Sequence, residues 1–196
     1  DGGEFGLFTA KYSNNGDLIW SRGFGEFFGD LERAFVISKI ATLVHVTLDS
    51  SDNIIIAGDF STETLDFGGG PLTDFSGTNH SNIFLAKLDS NGEHTWSKSF
   101  GHDSGYESLG MYAATDTNGN IILTGIIEEP VDLGNGQDVE GAFLATFDTD
   151  GTLLWARNFC DLNSVIDLRI SVGASGDILV TGGHIGEVDL GGGPFG

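Results

Sequence analysis

The chain has 196 residues, and its apolar and aromatic content is too high for a disordered segment. Thirty-one glycines without a three-residue period exclude collagen and argue against an all-helical protein. Eight basic against 29 acidic residues give a net charge of −21, which excludes DNA, RNA and anionic membranes as partners for want of cationic counter-charge.

In chain order, the first element is a hairpin. Phe8, Ala10 and Tyr12 alternate on one face, Gly16 closes the turn, and Trp20, Arg22 and Phe24 alternate on the return strand. A long connection, Gly25 to Leu43, follows, with a short helix or extra strand expected over Asp30–Ile40. The second hairpin has Val46-Thr47-Leu48-Asp49, then Asn53 to Gly58. A short tag, Leu65-Asp66-Phe67-Gly68, comes next. Both hairpins and the tag then recur. Phe84, Ala86, Lys87, Gly92, Trp96, Lys98 and Phe100 repeat the first, as do Phe143, Ala145, Gly151, Trp155, Arg157 and Phe159. Asp116 with Asn120 to Gly125, and Val172 with Asp177 to Gly182, repeat the second. Val131-Asp132-Leu133-Gly134 and Val188-Asp189-Leu190-Gly191 repeat the tag. All three tryptophans fall in one column, and Gly58, Gly125 and Gly182 lie 67 and then 57 residues apart.

Two hairpins per unit make four strands, A to D, and a repeated four-stranded unit is the signature of a propeller blade. The expected fold is all-β, a β-propeller of four-stranded antiparallel blades with about three blade equivalents in this chain. The units are a half blade 1–25, blades 44–101 and 110–160, and a half blade 167–196. Three blades are too few to close a ring, so the chain is expected to belong to a larger ring or array, with two copies forming six blades as the alternative.

The segments Phe84 to Gly101 and Asp116 to Gly125 resemble the bacterial SBBP-type β-propeller repeat, and the likeness covers most of the chain. The resemblance implies a propeller in an exported bacterial protein, extracellular, on the cell surface or in the periplasm. It implies no catalytic residues. Asp1-Gly2-Gly3 is no signal peptide, so export requires a leader removed or carried elsewhere. No run approaches the roughly 18 apolar residues of a membrane helix, so no membrane insertion is expected in this segment.

The chemistry-bearing motifs read as structure. Asp89-Ser90-Asn91-Gly92, Asp116-Thr117-Asn118-Gly119 and Asp148-Thr149-Asp150-Gly151 are shorter than a calcium loop and lack its Glu, so they read as turns, with calcium kept as a candidate ion. The tryptophans read as packing between blades. Lys11, Arg22, Lys87, Lys98 and Arg157 hold repeat positions and read as ion-pair partners of the abundant acids. The triple glycines 68–70 and 191–193 lack the Lys and helix of a phosphate loop and read as turns. Histidines 45, 80, 94, 102 and 184 show no metal spacing. Cys160, the one cysteine, reads as a bystander at a strand end and excludes an internal disulfide.

No catalytic or cofactor-binding residue is assigned. The long connections Gly25–Leu43, Ser61–Ser81, Gly101–Leu109 and Glu128–Glu140 share one face, where binding residues usually lie. Asp30, Glu32, His80, Asp103, Tyr106, Glu107, Glu128 and Glu129 are the candidates there. The reading is a non-enzymatic binding or structural scaffold with a protein or glycan partner, or other blades or copies of itself. The alternatives are a hydrolase or lyase with an acidic site on the long-loop face, and a calcium-binding assembly protein.

Overall fold

The structure is a computed structural model, and it describes residues 4–28, 44–60, 65–75, 82–101, 108–160, 165–190 and 192–194. The expected helix or strand at Asp30–Ile40 lies outside them. Every regular element among the described residues is a strand. In chain order these are β1 (Glu4–Tyr12), β2 (Leu18–Phe28), β3 (His45–Leu48), β4 (Ile54–Phe60), β5 (Asn82–Leu88), β6 (His94–Phe100), β7 (Ser108–Thr115), β8 (Ile121–Asp132), β9 (Asp138–Phe147), β10 (Leu153–Cys160), β11 (Val165–Val172) and β12 (Ile178–His184).

They form four antiparallel sheets. Two have four strands in plain sequence order, β3-β4-β5-β6 and β7-β8-β9-β10. Two have a single hairpin each, β1-β2 and β11-β12. The registers of the four-stranded sheets superpose: Gly58 faces Phe84 across β4–β5, and Gly125 faces Phe143 across β8–β9.

The middle strands β4 and β5 are buried at every position, so they carry apolar residues on both faces. One face packs towards β1-β2. There Phe24, Ile56, Phe60, Leu65, Phe67 and Phe84 form a core, with Phe67 5.0 Å from Phe24 and 5.3 Å from Phe84 between ring centres. The other face packs on the second four-stranded sheet through Ile55, Leu85, Phe100, Met111, Leu123, Phe143 and Phe147. A third, smaller core joins β7–β10 to β11-β12 and contains Val165, Leu168 and Val188, with Phe159 and Val180 against it.

The turns obey one chemistry. Asp49, Asp89, Asp116 and Asp148 each accept, at Oδ1, the backbone N–H groups two and four residues ahead. The carboxylate thus does what a backbone turn bond does. The tags repeat the device: Asp66 accepts from Gly68 and Gly70, and Asp132 from Gly134, Asn135 and Gly136. Gly68 and Gly70 take φ of 107° and 103°, which accounts for the glycine run.

One expectation is corrected. Glu128–Glu140 is largely strand rather than loop. β8 and β9 extend past an irregularity after Ile127 and pair again at Val131 with Val139 and Asp132 with Asp138. Val131 and Val139 are buried, and that apolar pair carries the hairpin outwards.

Candidate functional site

The residues that recur with chemical potential converge on the seams between sheets. At the first seam, Trp20 of β2 lays its ring against the turn of the β5–β6 hairpin, where a Cβ on Gly92 would lie 3.0 Å from it. Lys11 Nζ donates to the Ser90 carbonyl at 3.1 Å, and Arg22 donates to the Asn91 carbonyl at 3.3 Å and pairs with Glu93. At the second seam the arrangement recurs one sheet further on. Trp96 of β6 lies over Gly151, and its Nε1–H donates to the Thr149 carbonyl at 3.0 Å. Lys87 and Lys98 donate to the carbonyls of Thr149 and Gly151. The expected ion pairing is therefore half of the account. Arg22 and Lys87 find carboxylates, but Lys11, Arg22, Lys87 and Lys98, four of the five recurrent cations, each donate to a main-chain carbonyl of the next sheet's turn. Those carbonyls sit at the open end of a hairpin, where no ladder partner is available to them.

Glycine is needed at the second seam for two reasons. Gly151 has φ 75°, and an added Cβ would press on the Trp96 ring at 3.0 Å. Gly16, in the same column, has φ 86° with nothing within 4 Å. Gly151→Ala is expected to destabilise by about 1–3 kcal/mol and Gly16→Ala by less, the first losing docking as well as turn geometry. Urea unfolding of the two variants checks the order.

Beside each seam is an open cleft. The larger, about 680 Å³, runs between β6, the 69–75 segment and the Asp132-Leu133-Gly134 tag. The smaller, about 560 Å³, lies between β2, the Asp66-Phe67-Gly68 tag and His94. His94 is fixed under the tag: its Nε2 lies 3.1 Å from Ser97 Oγ, and a Cβ on Gly69 would meet its ring at 2.2 Å.

A third constellation was not visible in the motifs. His45, Tyr112 and Arg169 occupy one column in β3, β7 and β11, opposite Ala57, Thr124 and Thr181. Their side chains stack in a line. His45 meets Tyr112 edge-on at 5.3 Å, and the Arg169 guanidinium lies 4.1 Å over the Tyr112 ring. His45 Nδ1 accepts the Ala113 N–H at 3.3 Å. Burial, then the Arg169 charge, push the His45 pKa below its ordinary value. The signal was spacing: 45, 112 and 169 are 67 and 57 apart, the same offsets as the glycine column.

Of the sequence candidates, Glu128 and Glu129 lie half-buried on β8, whereas Asp30, Glu32, His80, Asp103, Tyr106 and Glu107 lie outside the described residues. The turn carboxylates serve the backbone. Hydrogen bonds from Glu93 N–H first, and then from Asn91, hold the Asp89 carboxyl below its usual range. Among the described residues no three His, Cys, Asp or Glu side chains gather to hold a metal ion, and no helix is long and apolar enough to cross a membrane. No family model matches the sequence, and no curated protein matches it.

Proposed function

We propose that the chain is a β-propeller repeat module of an exported bacterial protein, acting as a non-enzymatic binding or structural scaffold. The observation that carries this reading is the duplicated seam. Tryptophan and cations, the side chains best suited to ligand work, are committed at both seams to fastening one sheet to the next turn. Their recurrence is thereby explained by architecture. The wedge-like assembly of a propeller is supported by the first strands, which meet along the His45–Tyr112–Arg169 line with Thr115 Oγ1 donating to the Leu48 carbonyl. The resemblance to SBBP-type repeats supports export to the surface, the periplasm or the medium.

The clefts beside the seams and the β8–β9 hairpin tip offer partner surface on a rigid frame. The test is an array of bacterial surface polysaccharides and matrix proteins probed with the full chain. Saturable retention of an intact ligand is the expected result. Release of cleaved sugar would make the protein a hydrolase or lyase and overturn the scaffold reading.

A further inference from the structure

The two clefts beside the seams are neighbours. His94 lines both, and the glycine run 68–70 divides between them: Gly68 borders the smaller cleft, Gly69 and Gly70 the larger. They are also built alike. Ser21, Arg22 and Phe24 of β2 line the smaller, and the residues in the same repeat columns, Ser97, Lys98 and Phe100 of β6, line the larger. Each is bounded by a tag, Asp66-Phe67-Gly68 in one and Asp132-Leu133-Gly134 in the other. One surface is thus presented twice, side by side, with His94 as the shared wall.

The charged groups on this surface are already committed. Arg22 and Lys98 donate to turn carbonyls, and Arg22 also pairs with Glu93. Asp66 and Asp132 spend Oδ1 on the N–H groups of their own tags. What is left to meet a ligand is of another kind. The side-chain hydroxyls of Thr73, Thr95, Ser99 and Thr152 line the larger cleft and make no hydrogen bond among the described residues. Phe75 stands beside them, 39% exposed. A hydroxyl both donates and accepts, and an aromatic ring offers an apolar face. Together they match a sugar, which carries hydroxyls on its rim and C–H bonds on its faces. Acidic sugars are disfavoured, because the chain's net charge of −21 repels a polyanion. Both clefts are open along their length, which suits the interior of a long chain.

We propose that the paired clefts hold one neutral polysaccharide chain. It runs from the larger cleft past His94 into the smaller. A sugar face lies on Phe75, hydroxyls of Thr73, Thr95 and Ser99 bond its rim, and Ser21 bonds a later unit in the smaller cleft. Once one cleft is filled, the second contact is intramolecular, so affinity climbs with chain length until both are occupied. This inference rests on the scaffold reading and names the ligand class for it.

The test is isothermal titration calorimetry of the full chain with cello- and laminari-oligosaccharides, from trimers to octamers, and with an octameric oligogalacturonate as the acidic comparison. At least one neutral series should bind, more tightly as it lengthens, and the acidic octamer should not. Phe75→Ala and Thr95→Val alter the larger cleft and Ser21→Val the smaller. All three residues are exposed, so each variant should keep its far-UV circular dichroism. Each should weaken the neutral octamer about three- to tenfold, as for loss of one ring contact or one hydrogen bond. Binding by neither neutral series, or equal binding of the acidic octamer, overturns the proposal. If Ser21→Val leaves the octamer's affinity unchanged, the chain does not span both clefts and the proposal fails as well. Those results leave the scaffold reading standing. That reading fails only if the oligosaccharide is recovered shortened, which chromatography of the titrated mixture would show.

Discussion

Phe143→Ala is expected to lower the unfolding free energy by about 3–5 kcal/mol, the range for deleting a buried aromatic ring. The ring is fully buried between the two four-stranded sheets, beside Met111 and Phe147 and opposite Gly125. A Cβ on Gly125 would lie 2.4 Å from the Met111 Cε and 3.3 Å from the Phe143 ring, so the glycine leaves the space that these two side chains fill. Phe8→Ala in the same column is the internal comparison. Phe8 is 76% exposed, so the change should cost no more than about 0.5 kcal/mol, as exposed substitutions do. Urea midpoints measure both. Equal costs would show that burial does not set the cost of removing Phe143.

Lys87→Met is the second large effect, expected at about 3–5 kcal/mol near neutral pH because it strands a buried carboxylate. Lys87 and Asp49 lie 3.0 Å apart with side chains only 7% and 5% exposed. Burial raises the Asp49 pKa, but hydrogen bonds from the Asn53 side chain, from Lys87 and from the Ser51 and Asn53 N–H groups outweigh it and hold it below the ordinary value. A carboxyl with a depressed folded pKa stabilises the fold above its unfolded pKa of about 3.9, and this is lost as pH falls through the folded value. Removing Lys87 takes away one of the groups that depress it, so acid unfolding should begin at higher pH in the variant. Asp49→Asn added to Lys87→Met should recover much of the loss, since a neutral amide keeps the turn bonds without a stranded charge. If the double variant is no better than the single, the penalty comes from the lost bond of Lys87 to the Thr149 carbonyl.

The strands were legible because their residues alternate, and the repeat because glycine and tryptophan hold fixed columns. Phe84, Ala86 and Leu88 announce one face of β5, and Gly92 announces the turn that follows. What escaped was of two kinds. The first depends on an acceptor with no residue signature. Lys11 and Lys98 look like ion-pair partners in a chain with 29 acids, yet they donate to carbonyls of Ser90 and Gly151 that any residue could supply. The second depends on place and not type. His45, Tyr112 and Arg169 share a column but no chemistry as letters, so only three-dimensional stacking reveals them. The Glu128–Glu140 hairpin was hidden by its charges. Two valines at the right register hold it despite five acidic residues, Glu128, Glu129, Asp132, Asp138 and Glu140.

The main-chain character of the seam has a consequence for how such a protein can change over generations. A tryptophan and a lysine that read only carbonyls and a glycine place no demand on the other letters of the turn they grip. Cations bond carbonyls of both Ser90-Asn91 and the Thr149 turn, and the indole N–H adds a bond at the second alone: Trp96 donates to Thr149, whereas Trp20 Nε1 finds no acceptor. A unit copied whole within its gene therefore arrives beside a neighbour it already fits, and its turn is free to drift. Exchanging the two turn pairs should leave the melting temperature within a degree or two, as expected of exposed changes that spare the backbone.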